Sequence, residues 1–464
     1  MIMILPELSM LLFSIVFLFL SLGRKKDGIV LLAKSLSIII FGISLAGVFA
    51  SGELFSGAYR LDLFSQVFKA IIAYGFCLVI FILDRQNEVE EAYFPEYIMF
   101  LGFSTLGLMM LVSSVELISI VIALEVSSYS LYVIVPLRKG QTNIQLEASV
   151  KYLFFGAIST GIMLFGMSYM YGIVKSTFLN DILKVLPGFM GQPIGVFALI
   201  LTLTGFFFKL SLFPMHFWAP DIYEGASNTT TTFIATVPKI GAAALLIRIT
   251  MLANASGVQF INLLIVLAAI SMTFGNLVGL VQKDVKRLLA YSGIAHAGYL
   301  LMGVLALSKD GYASAIYYIT VYLFMNLACF YVLVVLSKDG RNIVLDDLVG
   351  LSKRAPLLAF TLAVGAFSLA GIPPTGGFTG KLFLFMSAFR EGHLTIVIIA
   401  AVNTAISIFY YLNLVRMSYS KEAESAEPIQ LTFNEKALCY IFIFLVLYMG
   451  VMPFGLLDIF RMAV

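Results

Sequence analysis

Charged side chains are scarce in this sequence, and their scarcity excludes a water-soluble globular protein. Only 12% of the 464 residues are Asp, Glu, Lys or Arg, whereas 61% are hydrophobic. Soluble domains have about 25% charged and about 45–50% apolar residues, so this chain could not bury its apolar surface in water. The formal net charge of +3 is too small to indicate nucleic-acid binding.

Cysteine and cofactor-binding motifs are also lacking. Cys77, Cys329 and Cys439 lie singly within apolar stretches. Isolated cysteines of this kind usually pack as small apolar residues, and without a CxxC pair they do not indicate a metal or iron–sulfur site. The sequence has no GxGxxG motif, no Walker A motif and no two histidines at metal-ligand spacing. We therefore predict no cofactor and no metal on this chain.

Long apolar runs, by contrast, fill most of the sequence. A helix that crosses the hydrocarbon core of a bilayer needs about 20 mostly apolar residues. Fourteen segments meet this requirement, and the loops between them leave no room for a soluble domain. We therefore predict an all-α polytopic membrane protein with about 14 transmembrane helices. The segments are 2–22, 28–50, 63–84, 95–113, 115–136, 146–173, 193–218, 227–251, 257–281, 285–307, 312–337, 355–390, 393–417 and 434–457.

The distribution of Lys and Arg between the loops predicts the orientation. Cytoplasmic loops of membrane proteins carry the excess of these residues. With the N-terminus outside, sixteen of them fall in inner loops and seven on the outer side. An even number of spans then predicts that both termini lie on the outer face. The sixteen are Arg24, Lys25, Lys26, Arg85, Arg138, Lys139, Lys283, Lys286, Arg287, Lys338, Arg341, Lys353, Arg354, Arg416, Lys421 and Lys436.

Two of the segments contain helix-breaking residues and are predicted to be discontinuous. Segment 355–390 would be about 54 Å long as one helix, at about 1.5 Å per residue, which far exceeds the roughly 30 Å hydrocarbon core. It contains Pro373 and Pro374, which remove backbone donors. Segment 193–218 contains Pro214 near its end. Transporters use such broken helices to place polar backbone groups in the middle of the membrane.

Each discontinuous segment carries a lysine in a similar local sequence. Residues 205–213 read GFFFKLSLF and residues 377–385 read GFTGKLFLF, so six of nine positions are identical. Lys209 and Lys381 lie 172 residues apart (381 − 209). This repetition indicates an internally duplicated transporter with one buried cation in each half.

A third lysine, Lys239, lies deep in segment 227–251, beside the threonine-rich sequence 229–236. A charge at such depth costs roughly 2.5–3.5 kcal/mol or more, so a function is expected for it. Burial lowers the pKa of a lysine and a nearby carboxylate raises it, so a lysine whose partner moves can load and release a proton. A permanently charged arginine could not do this. The alternative is that these lysines only satisfy the carbonyl groups of broken helices.

Glu125 is the acidic candidate, because it lies centrally in its segment. Ser128, Tyr129 and Tyr132 follow it at i+3, i+4 and i+7, so the four side chains share one helix face. A polar face within a membrane is expected to face protein or water. We predict that Glu125 pairs with a buried lysine, either as a structural salt bridge or as a switch of its protonation. Glu116, nearer a segment end, is a weaker candidate.

His296 is the candidate in the second half of the chain. Adding the 172-residue offset to position 125 gives position 297, next to His296. Because imidazole titrates near physiological pH, His296 could relay protons. A single buried histidine could equally serve as a structural hydrogen-bonding group.

Three longer blocks carry a resemblance to a known family. They read LFPMHFWAPDIYEGA at 212–226, KDVKRLLAYSGIAHAGY at 283–299 and SLAGIPPTGGFTGK at 368–381. Over about residues 95–415 the sequence resembles the antiporter-like subunits of respiratory complex I, above all the subunit N family of bacterial NADH:quinone oxidoreductases. It departs from that pattern at 227–229, where the family often has a proline-containing turn.

The resemblance implies a specific organisation of the helices. It implies two inverted five-helix repeats at about 95–251 and 257–417, with discontinuous seventh and twelfth helices. A three-helix segment at 1–94 precedes the repeats, and a loop and helix at 418–464 follow them.

The resemblance also implies a role for each candidate residue in a proton relay. In the family, the residue that matches Glu125 modulates the one that matches Lys209, and the lysine at position 239 passes the proton on. His296 would lie on the connecting axis, and Lys381 would face the exit.

The function implied is proton translocation by a membrane-arm subunit of NADH:quinone oxidoreductase in a bacterial inner membrane. NADH, FMN, iron–sulfur clusters and quinone are then expected in partner subunits, and other membrane subunits of the complex and the lipid bilayer are the expected partners, without nucleic acid. One alternative is a subunit of a multi-subunit cation/proton antiporter, which has a related fold. Another is a helical scaffold that anchors partners without transport.

Overall fold

The computed structural model of the chain describes most of the sequence, with short gaps in loops. The described residues are 2–23, 28–83, 88–140, 142–253, 258–337, 340–420 and 428–464. Part of the loop charge on which the predicted orientation depends lies outside them, and the orientation stays a prediction. The basic residues outside the described ranges are Arg24, Lys25, Lys26, Arg85, Lys338 and Lys421.

The described residues form nineteen α-helices and one small antiparallel sheet, in which β1 (Gly52–Leu54) pairs with β2 (Tyr59–Leu61). Each of the fourteen predicted segments contains a helix, which confirms the all-α polytopic fold. The helices are α1 (Leu5–Ser21), α2 (Ile29–Ala46), α3 (Leu63–Ile82), α4 (Phe94–Ser113), α5 (Leu117–Ile134), α6 (Thr142–Val174), α7 (Leu179–Val185), α8 (Pro193–Leu210), α9 (Trp218–Gly225), α10 (Asn228–Ala253), α11 (Val258–Gly279), α12 (Val285–Leu305), α13 (Lys309–Leu336), α14 (Leu351–Arg354), α15 (Pro356–Ala370), α16 (Gly376–Arg390), α17 (Leu394–Tyr419), α18 (Phe433–Val451) and α19 (Phe454–Ala463).

Twelve of the described helices are long and apolar enough to cross a membrane. Two further apolar helices, α1 and α15, are shorter, and together they account for the fourteen predicted segments. The protein is therefore a multi-pass membrane protein. The prediction of one helix over segment 434–457 is wrong. Pro453 separates α18 from α19, so the segment contains parts of two helices.

Both predicted breaks are present. Helix α8 ends at Leu210, and the short helix α9 begins only at Trp218. Helix α15 ends at Ala370, and α16 begins at Gly376 after the two prolines. These breaks bring helix ends, with their unsatisfied backbone carbonyls, into the interior of the bundle.

The two similar lysine stretches are nevertheless not equivalent positions, so that part of the sequence interpretation is wrong. Lys209 lies in the last turn of α8, before its break, whereas Lys381 lies in α16, after its break. The two broken helices end 160 residues apart (370 − 210) rather than 172. The short sequence similarity therefore crosses the break, and the 172-residue offset between the lysines is not the offset between the two breaks.

The centre of the bundle consists of α10, α12 and α13. In each of these helices 94% or more of the membrane-spanning window is buried, whereas in α2, α6, α17 and α18 it is 33%. Lys239 lies on α10 and His296 on α12, so two of the five predicted relay residues lie on the most enclosed helices.

Candidate proton relay

Lys209 lies at the C-terminal end of α8 with its side chain buried, 3% exposed. Its ammonium has no hydrogen-bond partner within the part of the chain that the structure describes. The nearest described aromatic ring is that of Tyr152, whose centroid lies 6.0 Å from the Nζ atom. The negative end of the α8 dipole favours a cation here, but nothing fixes the ammonium in one position.

Two backbone carbonyls in the last turns of α8, those of Phe207 and Phe208, are already occupied. Ser211, in the left-handed conformation that ends the helix, donates its N–H to Phe208 O at 2.9 Å, and Leu212 donates to Phe207 O at 2.8 Å. The indole Nε1 of Trp218, the first residue of α9, also donates to Phe208 O, at 2.8 Å. The end of α8 is thus capped without any contribution from its lysine.

Glu125 lies on α5, partly buried, and its Oε1 atom accepts a 2.6 Å hydrogen bond from Thr160 of α6. Glu125 and Lys209 do not form a hydrogen bond with each other in the structure. The carboxylate–lysine pair stays a prediction, and such a pair can form only if one of the two side chains moves.

The face of α5 that carries Glu125 is only partly buried within this chain. Tyr132 packs edge-on against Tyr152 with ring centroids 4.8 Å apart, and Ser128 is buried. Tyr129, however, is 58% exposed on the surface of this chain. The reason is geometric, since a set of residues spanning i to i+7 covers a wide arc of a helix and Tyr129 lies at its outer edge.

Lys239 lies on α10 at the contact with α12 and α13, and it is 2% exposed. Its Nζ atom donates a 3.2 Å hydrogen bond to the hydroxyl of Tyr322 on α13. A Cβ atom at Gly293 of α12 would lie 2.8 Å from the same Nζ. The missing side chain at Gly293 therefore leaves the space that the ammonium occupies.

His296 lies one turn along α12 from Gly293 and is held by two tyrosines. Its Nδ1 is 2.5 Å from the hydroxyl of Tyr318, and its Nε2 is 3.0 Å from that of Tyr411. The Tyr411 hydroxyl in turn lies 2.5 Å from Ser292 Oγ. Both ring nitrogens thus belong to one hydrogen-bonded group that joins α12, α13 and α17.

A small cavity joins Lys239 to His296. Its lining includes Lys239, His296, Tyr318 and Tyr322, and it has room for about one water molecule. Leu210, the neighbour of Lys209, also contributes to the lining. The geometry therefore brings Lys239 and His296 together and brings the end of α8 to the edge of the same space.

Lys381 is held by the other broken helix. Its Nζ donates to the carbonyl oxygens of Leu369, at 3.0 Å, and Ala370, at 3.2 Å, which end α15. The ammonium also lies 4.7 Å from the ring centroid of Tyr299. Gly371 has a φ of +84°, and a Cβ there would approach the lysine stem to 3.0 Å. The sharp turn at this glycine thus lets the lysine reach the helix end.

Sequence reasoning missed the tyrosines that connect these residues. Tyr299 lies edge-on to His296, with ring centroids 5.9 Å apart, and also contacts Lys381. Tyr318 and Tyr322, on one face of α13, contact His296 and Lys239. Their spacing of four residues within an apolar segment is the signal that could have identified them.

Other buried charges form ion pairs at the ends of the bundle. Lys69 of α3 is fully buried 2.5 Å from Glu7, which also accepts a hydrogen bond from Tyr59. Glu116 caps the N-terminus of α5 by accepting the N–H of Ser119 at 2.7 Å. In the described ranges, no group of three or more His, Cys, Asp or Glu side chains could hold a metal ion.

Comparison with known proteins places this arrangement in a family. Residues 114–407 match the family model described as NADH:quinone oxidoreductase/Mrp antiporter, transmembrane. The chain is 44% identical over 461 residues to the NADH-quinone oxidoreductase subunit N 2 of Opitutus terrae, covering 98% of this chain and 96% of the relative. The chain belongs to this family. The subunit N 2 of Solidesulfovibrio magneticus is 46% identical over 422 residues, covering 89% of each chain.

Solved structures agree with the family assignment. A chain of respiratory complex I from Thermus thermophilus superimposes with a TM-score of 0.83 at 28% identity, covering 98% of this chain and 99% of that one. A chain of the Mrp complex from Dietzia gives a TM-score of 0.87 at 18% identity, covering 100% and 96%. At that identity the Mrp likeness supports the fold alone. The family match includes Glu125, Lys209, Lys239, His296 and Lys381.

Proposed function

We propose that this chain is a proton-translocating membrane-arm subunit of an NADH:quinone oxidoreductase. Lysines buried in the middle of the helix bundle carry this proposal, because Lys209, Lys239 and Lys381 are only 2–3% exposed and Lys239 adjoins a hydroxyl that can exchange a proton. Redox chemistry would take place in partner subunits, where NADH, FMN, iron–sulfur clusters and quinone are expected. No redox centre is expected on this chain, and its partners are other membrane subunits of the complex.

The proposed relay begins at Lys209, whose ammonium is free to approach or leave Glu125. A proton released from Lys209 passes to Lys239, and from Lys239 through the tyrosine-bound His296 to Lys381. Residues 95–251 and 257–417 form the two repeats that contain these steps, between a three-helix segment (1–94) and a C-terminal loop and helix (418–464). Both termini lie on the outer face of a bacterial inner membrane in this proposal.

Substitution of Lys209 by alanine tests the proposal. Proton uptake is measured with a pH-sensitive dye in inverted membrane vesicles, together with NADH oxidation and the amount of assembled complex. We expect Lys209→Ala to assemble normally and to lose most proton pumping per NADH oxidised. A variant that assembles and pumps at the wild-type ratio would reject the relay and would leave the helical scaffold as the better description.

An antiporter subunit is the second candidate, because the matching family model also describes Mrp antiporters. Purification of the native complex distinguishes the two candidates. Flavin and iron–sulfur proteins that copurify with this chain support the oxidoreductase, whereas a set of small hydrophobic subunits without redox proteins supports the antiporter.

A further inference from the structure

A buried carboxylate at one end of the bundle contacts the helix that carries Lys239. Glu88 lies just before α4 and is 4% exposed. Its Oε1 accepts a 2.7 Å hydrogen bond from the side chain of Asn228, and its Oε2 accepts one of 3.1 Å from the N–H of Thr229. The hydroxyl of Thr229 also donates to Oε2, at 3.4 Å. Glu88 lies outside residues 114–407, which the family model matches.

Glu88 lies close to the surface despite its burial. Its backbone carbonyl accepts the N–H of Lys139 at 2.8 Å, and Lys139 and Gly140 are exposed. The backbone of Glu88 thus contacts an exposed residue, while its carboxylate points into the protein towards α10.

A row of hydroxyls leads from Glu88 towards Lys239 along α10. Thr229, Thr232 and Thr236 are followed by Lys239 at spacings of three, four and three residues, so all four side chains lie on one face of the helix. We call the three threonines the threonine stripe. The path from Thr229 to Lys239 covers ten residues, or about 15 Å along the helix. All three threonines are buried, at 5%, 0% and 0% exposure.

The bonding of the stripe leaves its oxygen atoms available. Thr232 donates its hydroxyl to the carbonyl of Asn228 at 2.7 Å, and Thr236 donates to that of Thr232 at 2.6 Å. Each hydroxyl oxygen therefore keeps lone pairs that can accept a proton. Side chains four residues apart on a helix have Cβ atoms about 5–6 Å apart, so one bridging water between neighbouring hydroxyls completes a hydrogen-bonded chain.

We propose that Glu88 takes up protons at this end of the bundle and that the threonine stripe delivers them to Lys239. The inference rests on the proposed proton-translocating function and gives Lys239 a supply that does not pass through Lys209. In the transfer, the O–H bond of protonated Glu88 breaks, each hydroxyl or water in the chain accepts one proton and donates another, and the last proton forms an N–H bond on the neutral amine of Lys239. Glu88 is then an anion and accepts the next proton from solvent.

The structural alternative is that Glu88 only caps the N-terminus of α10 and that the threonines only bond to their own helix. The two descriptions differ in what a conservative substitution does. Glu88→Gln keeps an acceptor for the N–H of Thr229 but cannot carry a proton. Valine in place of threonine keeps the shape and removes the hydroxyl, whereas serine keeps the hydroxyl.

The test compares variants on one helix. Thr232→Val combined with Thr236→Val removes the middle of the stripe, and Thr231→Val is the matched control. Thr231 is also fully buried on α10, but its hydroxyl bonds away from the stripe to the carbonyl of Tyr223, at 3.0 Å. Protons pumped per NADH oxidised are measured in vesicles that contain the assembled complex, with Lys239→Ala as the reference for a lost relay.

We expect the double valine variant and Glu88→Gln to lower the pumping ratio to that of Lys239→Ala, at normal assembly. Thr231→Val and the double serine variant are expected to retain the wild-type ratio. The proposal that the threonine stripe conducts protons is wrong if the double valine variant pumps normally while Lys239→Ala does not. This result leaves the proposed function of the chain intact. If Lys239→Ala itself pumps normally, the proposed function fails instead. Equal loss in Thr231→Val and in the double valine variant overturns the stripe as a specific path.

Discussion

Lys209 and Lys381 both adjoin a broken helix, yet one is free and the other is held. The ammonium of Lys209 has no hydrogen-bond partner among the described residues, whereas that of Lys381 donates to two carbonyl oxygens at the end of α15. Their local sequences are nearly alike. The difference teaches that the state of a buried lysine depends on the side of the break on which it lies. Lys381 lies beyond its break and reaches back to the end of α15, whereas Lys209 belongs to the last turn of α8 itself.

The two helix ends are capped alike by the backbone, and they differ in which side chain adds to the cap. At the end of α8, the N–H groups of Ser211 and Leu212 bond to Phe208 O and Phe207 O, and the indole of Trp218 also donates to Phe208 O. At the end of α15, the N–H of Gly371 bonds to Phe367 O and Ser368 O, and Lys381 donates to the last two carbonyls, those of Leu369 and Ala370. A free lysine suits a step in which a carboxylate approaches and leaves, and a held lysine suits a fixed station in the relay.

The largest expected difference is between methionine substitutions at the two lysines. Lys381→Met removes the donors to two buried carbonyls and should lower stability by about 1–3 kcal/mol, the cost of leaving buried polar groups unpaired. Lys209→Met removes a charge that has no such bond and should leave stability unchanged or raise it. Thermal unfolding of the purified complex measures both. Equal destabilisation by the two substitutions would contradict the distinction between a free and a held lysine.

Trp218→Phe should make Lys209 resemble Lys381, because it makes a carbonyl oxygen available as a hydrogen-bond acceptor for the ammonium. The substitution removes the indole donor to Phe208 O but keeps an aromatic ring on Tyr152, which stacks on Trp218 at 5.0 Å. We expect a loss of about 0.5–1.5 kcal/mol for the hydrogen bond and slower pumping. Phe208 O then keeps only its bond from Ser211, so its second lone pair becomes available to the ammonium of Lys209. The rate of dye response in vesicles measures the second effect. A fall in stability with unchanged pumping would show that carbonyl occupancy does not set the state of Lys209.

Thr160→Val tests the carboxylate side of the proposed pair between Glu125 and Lys209. Without the 2.6 Å hydrogen bond from Thr160, Glu125 is expected to close on Lys209 more often and to reduce pumping in part. Thr160→Ser keeps the hydroxyl and serves as the control. If valine and serine give the same pumping ratio, the position of Glu125 is not controlled by this hydrogen bond.

The smallest expected effect concerns α9, the short helix whose Trp218 bonds to the end of α8. Asp221 of α9 accepts hydrogen bonds from Lys151 at 2.6 Å and Arg287 at 2.9 Å. Burial raises the pKa of Asp221, but these two hydrogen bonds outweigh it and hold the pKa below the usual 3.8. The stabilisation is therefore present above about pH 4 and lost as the pH falls through the pKa of the folded state.

Asp221→Asn should lower stability by only about 0.2–1 kcal/mol at neutral pH, since the three side chains are between 27% and 36% exposed. The difference in melting temperature between the variant and the wild type should shrink as the pH falls below about 4. A difference that stays constant from pH 7 to pH 3 would mean that the ion pair does not support α9.

The helices and their breaks could be predicted from the sequence, whereas the contacts of the buried lysines and of His296 could not. Long apolar runs predict the spanning helices, and paired prolines predict the break before Lys381, because both effects are local. Whether a buried lysine reaches a carbonyl oxygen is not local, since it depends on how α16 packs against the end of α15 and brings Lys381 to Leu369 and Ala370. The tyrosines that bind His296 come from α13 and α17, and only tertiary packing brings them to one ring.

The most direct test of the account is Lys209→Arg. Arginine keeps the positive charge at the end of α8 but does not release a proton in proteins. The measurement is the number of protons pumped per NADH oxidised by the assembled complex in inverted vesicles. We predict normal assembly with a pumping ratio as low as that of Lys209→Ala. A wild-type ratio in Lys209→Arg would mean that the position needs only a charge, and the claim that this lysine carries protons would be wrong.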